Sequence, residues 1–407
     1  PDAIDYTNSY TSGTNTYTGS GSSTGDHGNN VKFTNHDNGI DYHRSKHVNY
    51  DPDQDRVWIM YQDITESNSI RHVIGLWHPG VYGFDGTTQT NNYLDNDGYG
   101  TYSWTTPVLT FNGTGSGTGN NQMPETSGST SDICYDSDNQ RWVLVYTDNY
   151  TNDSLLVRTG QLVGGTTNTI TWSSAVTFTD DHNTNPWYIS IEYDPEQKKV
   201  CVFYEDAGDN QYGKLKTVSI AANGTPSWDS GSLTFESARA EQLAAVYSPN
   251  RKRMTISFKD YGNSSYNKFK TLQWNSGTSY YQEDHEYNSY ITYSNMRPVY
   301  STVNKVIIWC HYSSSQPKIR TLSMNSGGTI SQVGDQNLLA NESTSTDSTT
   351  WSMPIIAHNS VTGKVTTVWH RNSSYLKYKH ANFNGSYYEA DAGDVRNTVN
   401  GQSGNQI

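Results

Sequence analysis

The stretch Tyr193-Asp194-Pro195-Glu196-Gln197-Lys198-Lys199-Val200-Cys201-Val202-Phe203-Tyr204-Glu205-Asp206 decides the fold, because the chain repeats it. One earlier copy runs from Tyr50-Asp51-Pro52 through Val57-Trp58-Ile59-Met60-Tyr61 to Asp63, and another from Tyr135-Asp136 through Trp142-Val143-Leu144-Val145-Tyr146 to Asp148. Looser copies start at Tyr247-Ser248-Pro249, Tyr300-Ser301 and His358-Asn359. Each reads as a strand end, a polar turn and a second strand of apolar and aromatic residues. Self-similarity of this kind signals stacked supersecondary units, each too small to bury its own apolar face.

The strand openers Val57, Trp142, Val200, Met254, Val306 and Val365 lie 85, 58, 54, 52 and 59 residues apart. Such spacing is too long for leucine-rich or ankyrin repeats and fits a four-stranded propeller blade with long loops. In the third unit the strands read 187–193, 200–204, 215–220 and 230–235. Strand three recurs around Arg158-Thr159, Lys216-Thr217, Lys270-Thr271 and Arg320-Thr321; strand four recurs as Trp104 with Thr110-Phe111, Trp172 with Thr177-Phe178 and Trp228 with Thr234-Phe235. The enrichment in Tyr, Thr, Val and Trp between Asn, Asp, Gly and Ser clusters is a strand signal.

The expected architecture is therefore all-β, a six-bladed β-propeller, with seven blades as the alternative because the first unit is long enough to hold an extra hairpin. Val31-Lys32-Phe33-Thr34 resembles the strand-four phrase that the last unit lacks. The N-terminal strand is thus expected to complete the last blade beside Lys377–His380 and close the ring, removing exposed sheet edges. Residues 1–30 read as a polar arm or linker, 31–385 as the propeller with an insertion loop at 79–101, and 386–407 as a C-terminal tail.

Within the blades, Trp104, Trp172 and Trp228 recur at one position and are expected to wedge between neighbouring blades. Tyr61, Tyr146 and Tyr204 share a strand-two position and are expected to be buried there. Asp148, Asp206 and Asp260 precede Arg158, Lys216 and Lys270 by ten residues, a spacing that would bring each pair together across a hairpin.

Composition narrows the function. Lys and Arg number 27 against 40 Asp and Glu, a net charge of −13, which disfavours binding to a phosphate backbone. No apolar run approaches the ~20 residues that span a bilayer. Cys134, Cys201 and Cys310 fall inside strands of different units and read as small buried hydrophobes rather than a disulfide framework. Asp51, Asp53 and Asp55 lack the remaining ligands of a calcium loop, and Asp-Pro-Asp is what a type I turn requires. His43 and His47 would lie ~13 Å apart on a strand. Neither a metal nor another cofactor is expected. Glycoside hydrolysis needs two facing carboxylates, and Asp180, Asp181, Glu192 and Glu241 cannot be paired from sequence, so no catalytic residue is assigned. The glycan-binding candidates are non-repeating loop aromatics: Tyr82, Phe84, Tyr93 and Tyr99 in the insertion, Trp187 and Tyr188 after Asn-Thr-Asn-Pro, and Trp351 after Ser-Thr-Thr.

The phrase Tyr-Asp-Pro-(Asp/Glu)-x-x-(Lys/Arg)-Val-x-Val-x-Tyr-x-Asp, with Val218-Ser219-Ile220 and Ser-Leu-Thr-Phe-Glu-Ser after it, resembles repeats in structural and fibre-like virion proteins of tailed, especially marine, bacteriophages. The resemblance spans 31 to about 384 and is strongest from Ser131 to Asp260. It implies a non-enzymatic virion component in a multi-copy extracellular assembly, with other virion proteins and host-surface polysaccharide as partners. The alternatives are a secreted carbohydrate-binding or carbohydrate-active propeller, or a subunit of an extracellular filament.

Overall fold

The computed structural model describes residues 9–12, 15–18, 47–51, 56–63, 69–78, 101–104, 108–111, 131–148, 154–163, 169–178, 188–278, 280–289, 291, 298–313, 316–338, 355–359, 362–371, 375–390 and 396–397. Every regular element among them is a strand. Strands β1 (Ser9–Ser12) and β2 (Asn15–Thr18) form a separate hairpin inside the stretch expected as a polar arm.

The repeat then unfolds as successive antiparallel meanders. The first comprises β3 (His47–Asp51), β4 (Arg56–Asp63), β5 (Ser69–His78) and a two-piece outer strand, β6 (Thr101–Trp104) and β7 (Val108–Phe111). The second has β8 (Ser131–Asp136), β9 (Arg141–Asp148), β10 (Ser154–Val163), β11 (Thr169–Trp172) and β12 (Val176–Thr177). The third has β13 (Ile189–Asp194), β14 (Lys199–Asp206), β15 (Tyr212–Ile220), β16 (Pro226–Trp228) and the first part of β17 (Leu233–Ser248). The rest of β17 opens the fourth meander, followed by β18 (Arg253–Asp260), β19 (Tyr266–Asn275) and β20 (Tyr280–Asn288). The fifth has β21 (Val299–Ser301), β22 (Val306–Ser313), β23 (Gln316–Met324) and β24 (Ile330–Asn337). The last has β25 (Ile355–His358), β26 (Val365–Arg371), β27 (Tyr375–Phe383), β28 (Tyr388–Ala390) and β29 (Arg396–Asn397). Opening strands of consecutive meanders adjoin in turn: β3 with β8, β8 with β13, β13 with β17, β17 with β21, and β21 with β25.

The turn reading of the repeated phrase holds. Asp136 Oδ1 accepts the amides of Asp138 and Asn139 at 3.0 and 3.1 Å, and Asp194 Oδ1 those of Glu196 and Gln197 at 2.9 and 3.2 Å. These side-chain acceptors replace a backbone turn partner. In the second to fifth meanders this turn ends on a left-handed residue: Gln140, Lys198, Lys252 and Lys305 have φ of 53°, 53°, 52° and 58°.

Apolar side chains alternate between the faces of each strand. Trp142, Leu144 and Tyr146 meet Trp58, Met60 and Ile74 of the first meander, whereas Val143 and Val145 meet Val200, Val202 and Tyr204 of the third. Tyr146 and Tyr204 are fully buried. Trp172 lies 5.8 Å from Trp58, and Trp228 lies 5.1 Å from Phe178 while its indole donates to Val176 O at 3.1 Å. Both tryptophans are inter-sheet wedges, as expected. Polar latches recur as well. Asp132 Oδ2 accepts from the amide of Ile191 at 2.9 Å, and at the equivalent place one meander on, Ser190 Oγ accepts from Ala245 at 3.0 Å. The three cysteines are free and buried, again as expected; burial pushes the Cys310 thiol up to about 12.

Three expectations need correction. The edge of β27 assigned to Val31–Thr34 is occupied by β29, with Lys377 opposite Asn397 and Tyr378 opposite Arg396; Val31–Thr34 lies outside the described residues. The outer strand comes from the segment directly following β28, which needs a far shorter loop than one from the opposite terminus. Asp206 does not meet Lys216. The tight turn puts Asp206 opposite Tyr212, so its ion pair forms diagonally with Lys214 at 2.7 Å; Asp260 pairs likewise with Lys268 at 2.7 Å. In the fifth meander Ser301 opposes Val306, as Asp194 opposes Lys199, so Ile307 rather than Val306 matches Val200. His311 therefore stands at the Tyr146 and Tyr204 position.

Candidate functional site

Chemistry concentrates where the third and fourth meanders meet, at the end where strand two of a sheet finishes and the next sheet begins. Tyr188 immediately precedes β13, Glu205 is the penultimate residue of β14, and the amide of Glu205 donates to Tyr188 O at 3.2 Å. Arg239 and Glu241 lie where β17 passes from the outer edge of one sheet to the inner strand of the next; Glu241 opposes Lys259. A bulge follows Glu241, with φ of 54° at Gln242, and re-aims the strand at this corner.

The Glu205 side chain has no exposed surface, and among the described residues neither carboxyl oxygen has a hydrogen-bond partner. Arg239 Nε stands 3.8 Å from Oε1, inside ion-pair range but beyond hydrogen bonding. Burial raises the Glu205 carboxyl to about 8, the Glu241 charge adds to the shift, and Arg239 opposes it. Arg239 Nη2 binds Glu241 Oε1 directly, and Tyr188 Oη lies 3.5 Å from Glu241 Oε2. Burial and the Glu241 and Glu205 charges push the Tyr188 phenol upward. On the solvent side, the Arg239 guanidinium sits 4.8 Å from the Tyr261 ring centre and Lys259 Nζ 4.6 Å from it, with Nζ 3.1 Å from Tyr261 Oη. The arrangement is a carboxyl that keeps its proton at neutral pH, a second carboxylate, a bridging guanidinium and a phenol, the set that general acid–base chemistry requires.

Two other polar groups are structural in character. Glu192 on β13 is raised to about 8 by burial and the Asp132 charge, against a hydrogen bond from the Tyr247 amide, but Asp132 serves as an inter-sheet latch. His311 Nε2 donates to Asp335 Oδ1 at 2.9 Å, and Arg320 Nη2 to Oδ2 at 2.9 Å. This network replaces the Tyr of other meanders beside Trp309. No group of three or more potential metal ligands occurs among the described residues.

Of the candidates read from sequence, Tyr188 and Glu241 belong to this cluster, and Glu192 lies elsewhere. Tyr82, Phe84, Tyr93, Tyr99, Trp187, Trp351, Asp180 and Asp181 lie outside the described residues. Sequence reading missed Glu205 and Arg239. The available signal was a break in the repeat: the Glu205 position is Thr147 in the second meander and Lys259 in the fourth. Arg239 carries no such signal, because it falls in a join between sheets.

No protein-family model and no curated protein sequence matches the chain. Solved structures do. A protein from Lactobacillus plantarum superposes with a TM-score of 0.55 at 9% identity, covering 93% of this chain and 89% of that one. A candidate 6-phosphogluconolactonase from Bacteroides uniformis gives 0.52 at 11%, covering 88% and 86%. The periplasmic gluconolactonase of Pseudomonas aeruginosa gives 0.52 at 10%, covering 87% and 88%. At such identities the likeness shows the fold, and the fold is a β-propeller. It also corrects the expectation of a phage virion component. That reading rested on a repeat signature, which speaks to fold rather than role, and the solved structures that superpose over most of the chain are bacterial proteins that include a gluconolactonase.

Proposed function

We propose that this chain is a carbohydrate-active β-propeller of six blades, one per meander, which hydrolyses a sugar-derived ester or lactone at the Tyr188–Glu205–Arg239–Glu241 cluster. The observation that carries the reading is the Glu205 carboxyl: fully buried, unsatisfied, raised to about 8, and next to a second carboxylate and a guanidinium. A carboxyl kept neutral in this way can donate a proton near pH 7. In the proposed step, Glu241 takes a proton from water as the water oxygen bonds to the ester carbonyl carbon. Arg239 stabilises the oxyanion. Glu205 then protonates the departing ring or ester oxygen as its bond to carbon breaks, and a proton passing from Glu241 to Glu205 restores the starting state. The gluconolactonase fold relatives supply the substrate class, as analogy only.

Carbohydrate binding without turnover is the second reading. It is favoured by the burial of Glu205, since a ligand touching only exposed atoms would meet Arg239, Lys259 and Tyr261 instead. A pH-stat assay across sugar lactones and esters separates the two. Hydrolysis above background is expected, and Glu205→Gln should lower kcat by ~10²–10⁴-fold, the usual contribution of a positioned acid. Calorimetric sugar binding with no acid release would replace the hydrolytic reading with the binding one.

A further inference from the structure

We propose that the sugar taken at this cluster carries a single carboxylate, as a uronic acid does, and that Lys259 is the residue that selects it. The inference deepens the reading above and rests on it. Among the described residues, no acidic group lies within ion-pair distance of Lys259 Nζ, although Glu241 sits directly across the strand. Arg239, by contrast, is matched by Glu241. The corner therefore presents one unmatched ammonium, in a chain whose acids outnumber its bases by 40 to 27.

Stability does not account for this cation. An exposed ammonium on an aromatic ring contributes only ~0.5–1 kcal/mol, and a carboxylate neighbour would serve folding at least as well. What the geometry achieves is position. Tyr261, 40% exposed, holds Lys259 through its ring and its hydroxyl and holds Arg239 through its ring. Both cationic heads are thus kept beside the half-exposed Tyr261 ring, with Arg239 39% exposed. A monoanion balances the one free positive charge. A phosphate monoester, with about two negative charges near pH 7, would leave excess negative charge beside Glu205 and Glu241.

Titration calorimetry on the full chain, at pH 7 and fixed ionic strength, tests the assignment with methyl glucuronide, methyl glucoside and glucose 6-phosphate as probes. The glucuronide should bind about tenfold more tightly than the glucoside, as one charge-assisted contact provides, and the difference should shrink as salt is added. Lys259→Met should bring the glucuronide down to the glucoside's affinity, whereas Lys259→Arg should keep the preference; melting curves of both variants establish that they are folded. Equal affinity for the two glycosides overturns this inference while leaving the sugar-binding reading intact. Tighter binding of the phosphate than of the glucuronide overturns the choice of a monoanion, a preference that survives Lys259→Met overturns the role of Lys259, and failure of every probe to bind overturns this inference, while the pH-stat assay decides the hydrolytic reading separately.

Discussion

At the scale of single residues, the repeat is most informative where one position changes its chemistry. The strand-two position that holds Tyr146 and Tyr204 holds His311 in the fifth meander, and the whole neighbourhood adjusts. Asp335 accepts from both His311 and Arg320, and the Arg320 guanidinium lies 5.5 Å from the Trp309 ring centre. Burial disfavours the Asp335 charge, but the hydrogen bonds from His311 and Arg320 outweigh it and hold the carboxyl down from 3.8 to about 2. Since the folded value is depressed, the stabilisation is present above the unfolded value and is lost as pH falls through the folded one. Asp335→Asn should therefore cost roughly 2 kcal/mol at pH 7. That cost should fade as the pH is lowered from near 4 toward 2, measured by urea denaturation across that range. A cost independent of pH would mean that the charge on Asp335 plays no part.

At the scale of elements, strand four explains both a success and a failure of sequence reading. In the first three meanders and the last, two short pieces pair in tandem with strand three, as β11 and β12 do with β10. The Trp of the repeated phrase ends the first piece, where Trp172 and Trp228 wedge against the preceding sheet. In the last meander the pieces are Tyr388–Ala390 and Arg396–Asn397, which lack the Trp-to-Phe phrase and so read as a tail. Their place is kept by other contacts. Tyr388 is fully buried, its amide donates to Thr321 Oγ1 at 2.9 Å, and its hydroxyl meets Ser301 Oγ at 3.2 Å. Strand two carries the sheet-to-sheet core. Tyr204 packs with Val143, Val145 and Phe178 of the second meander, so Tyr204→Ala should destabilise the protein by ~3–5 kcal/mol. A chemical-denaturation loss below ~1 kcal/mol would contradict that packing.

For the molecule as a whole, the buried glutamates link function to stability. Glu205 and Glu192 are both raised to about 8 from 4.5. In each case the unfolded chain releases its proton first as pH rises, so the folded state binds more protons between these values and stability declines across that window. Above about 8 both states have lost the proton and the slope ends. Glu205→Gln removes one contributor, so at pH 8 the variant should be more stable than the wild type by roughly 2 kcal/mol, because a neutral amide avoids the cost of ionising a buried carboxyl. Near pH 4 the two should converge. Thermal melts at both pH values decide the matter, and a variant less stable at pH 8 would show that the Glu205 charge is well accommodated. A site residue whose loss stabilises the fold is what a strained functional position predicts.

What could be read from residues alone was whatever is local and repeated. The polar turn closed by Asp136 or Asp194, the alternating strand that follows, and the Trp wedges all depend on neighbours within one or two repeats. Periodicity therefore carries them, and the β-propeller fold follows. Register over a turn, as in Asp206 with Lys214 rather than Lys216, depends on the length of a tight turn that spacing does not reveal. The candidate site is less legible still. Glu205 and Arg239 are 34 positions apart and become neighbours only because β17 crosses from one sheet to the next. The proton affinity of Glu205 is a product of burial, which no residue type encodes. Composition and repeat set the strands and their packing faces; tertiary structure alone decided which polar side chains came together at the corner between two sheets.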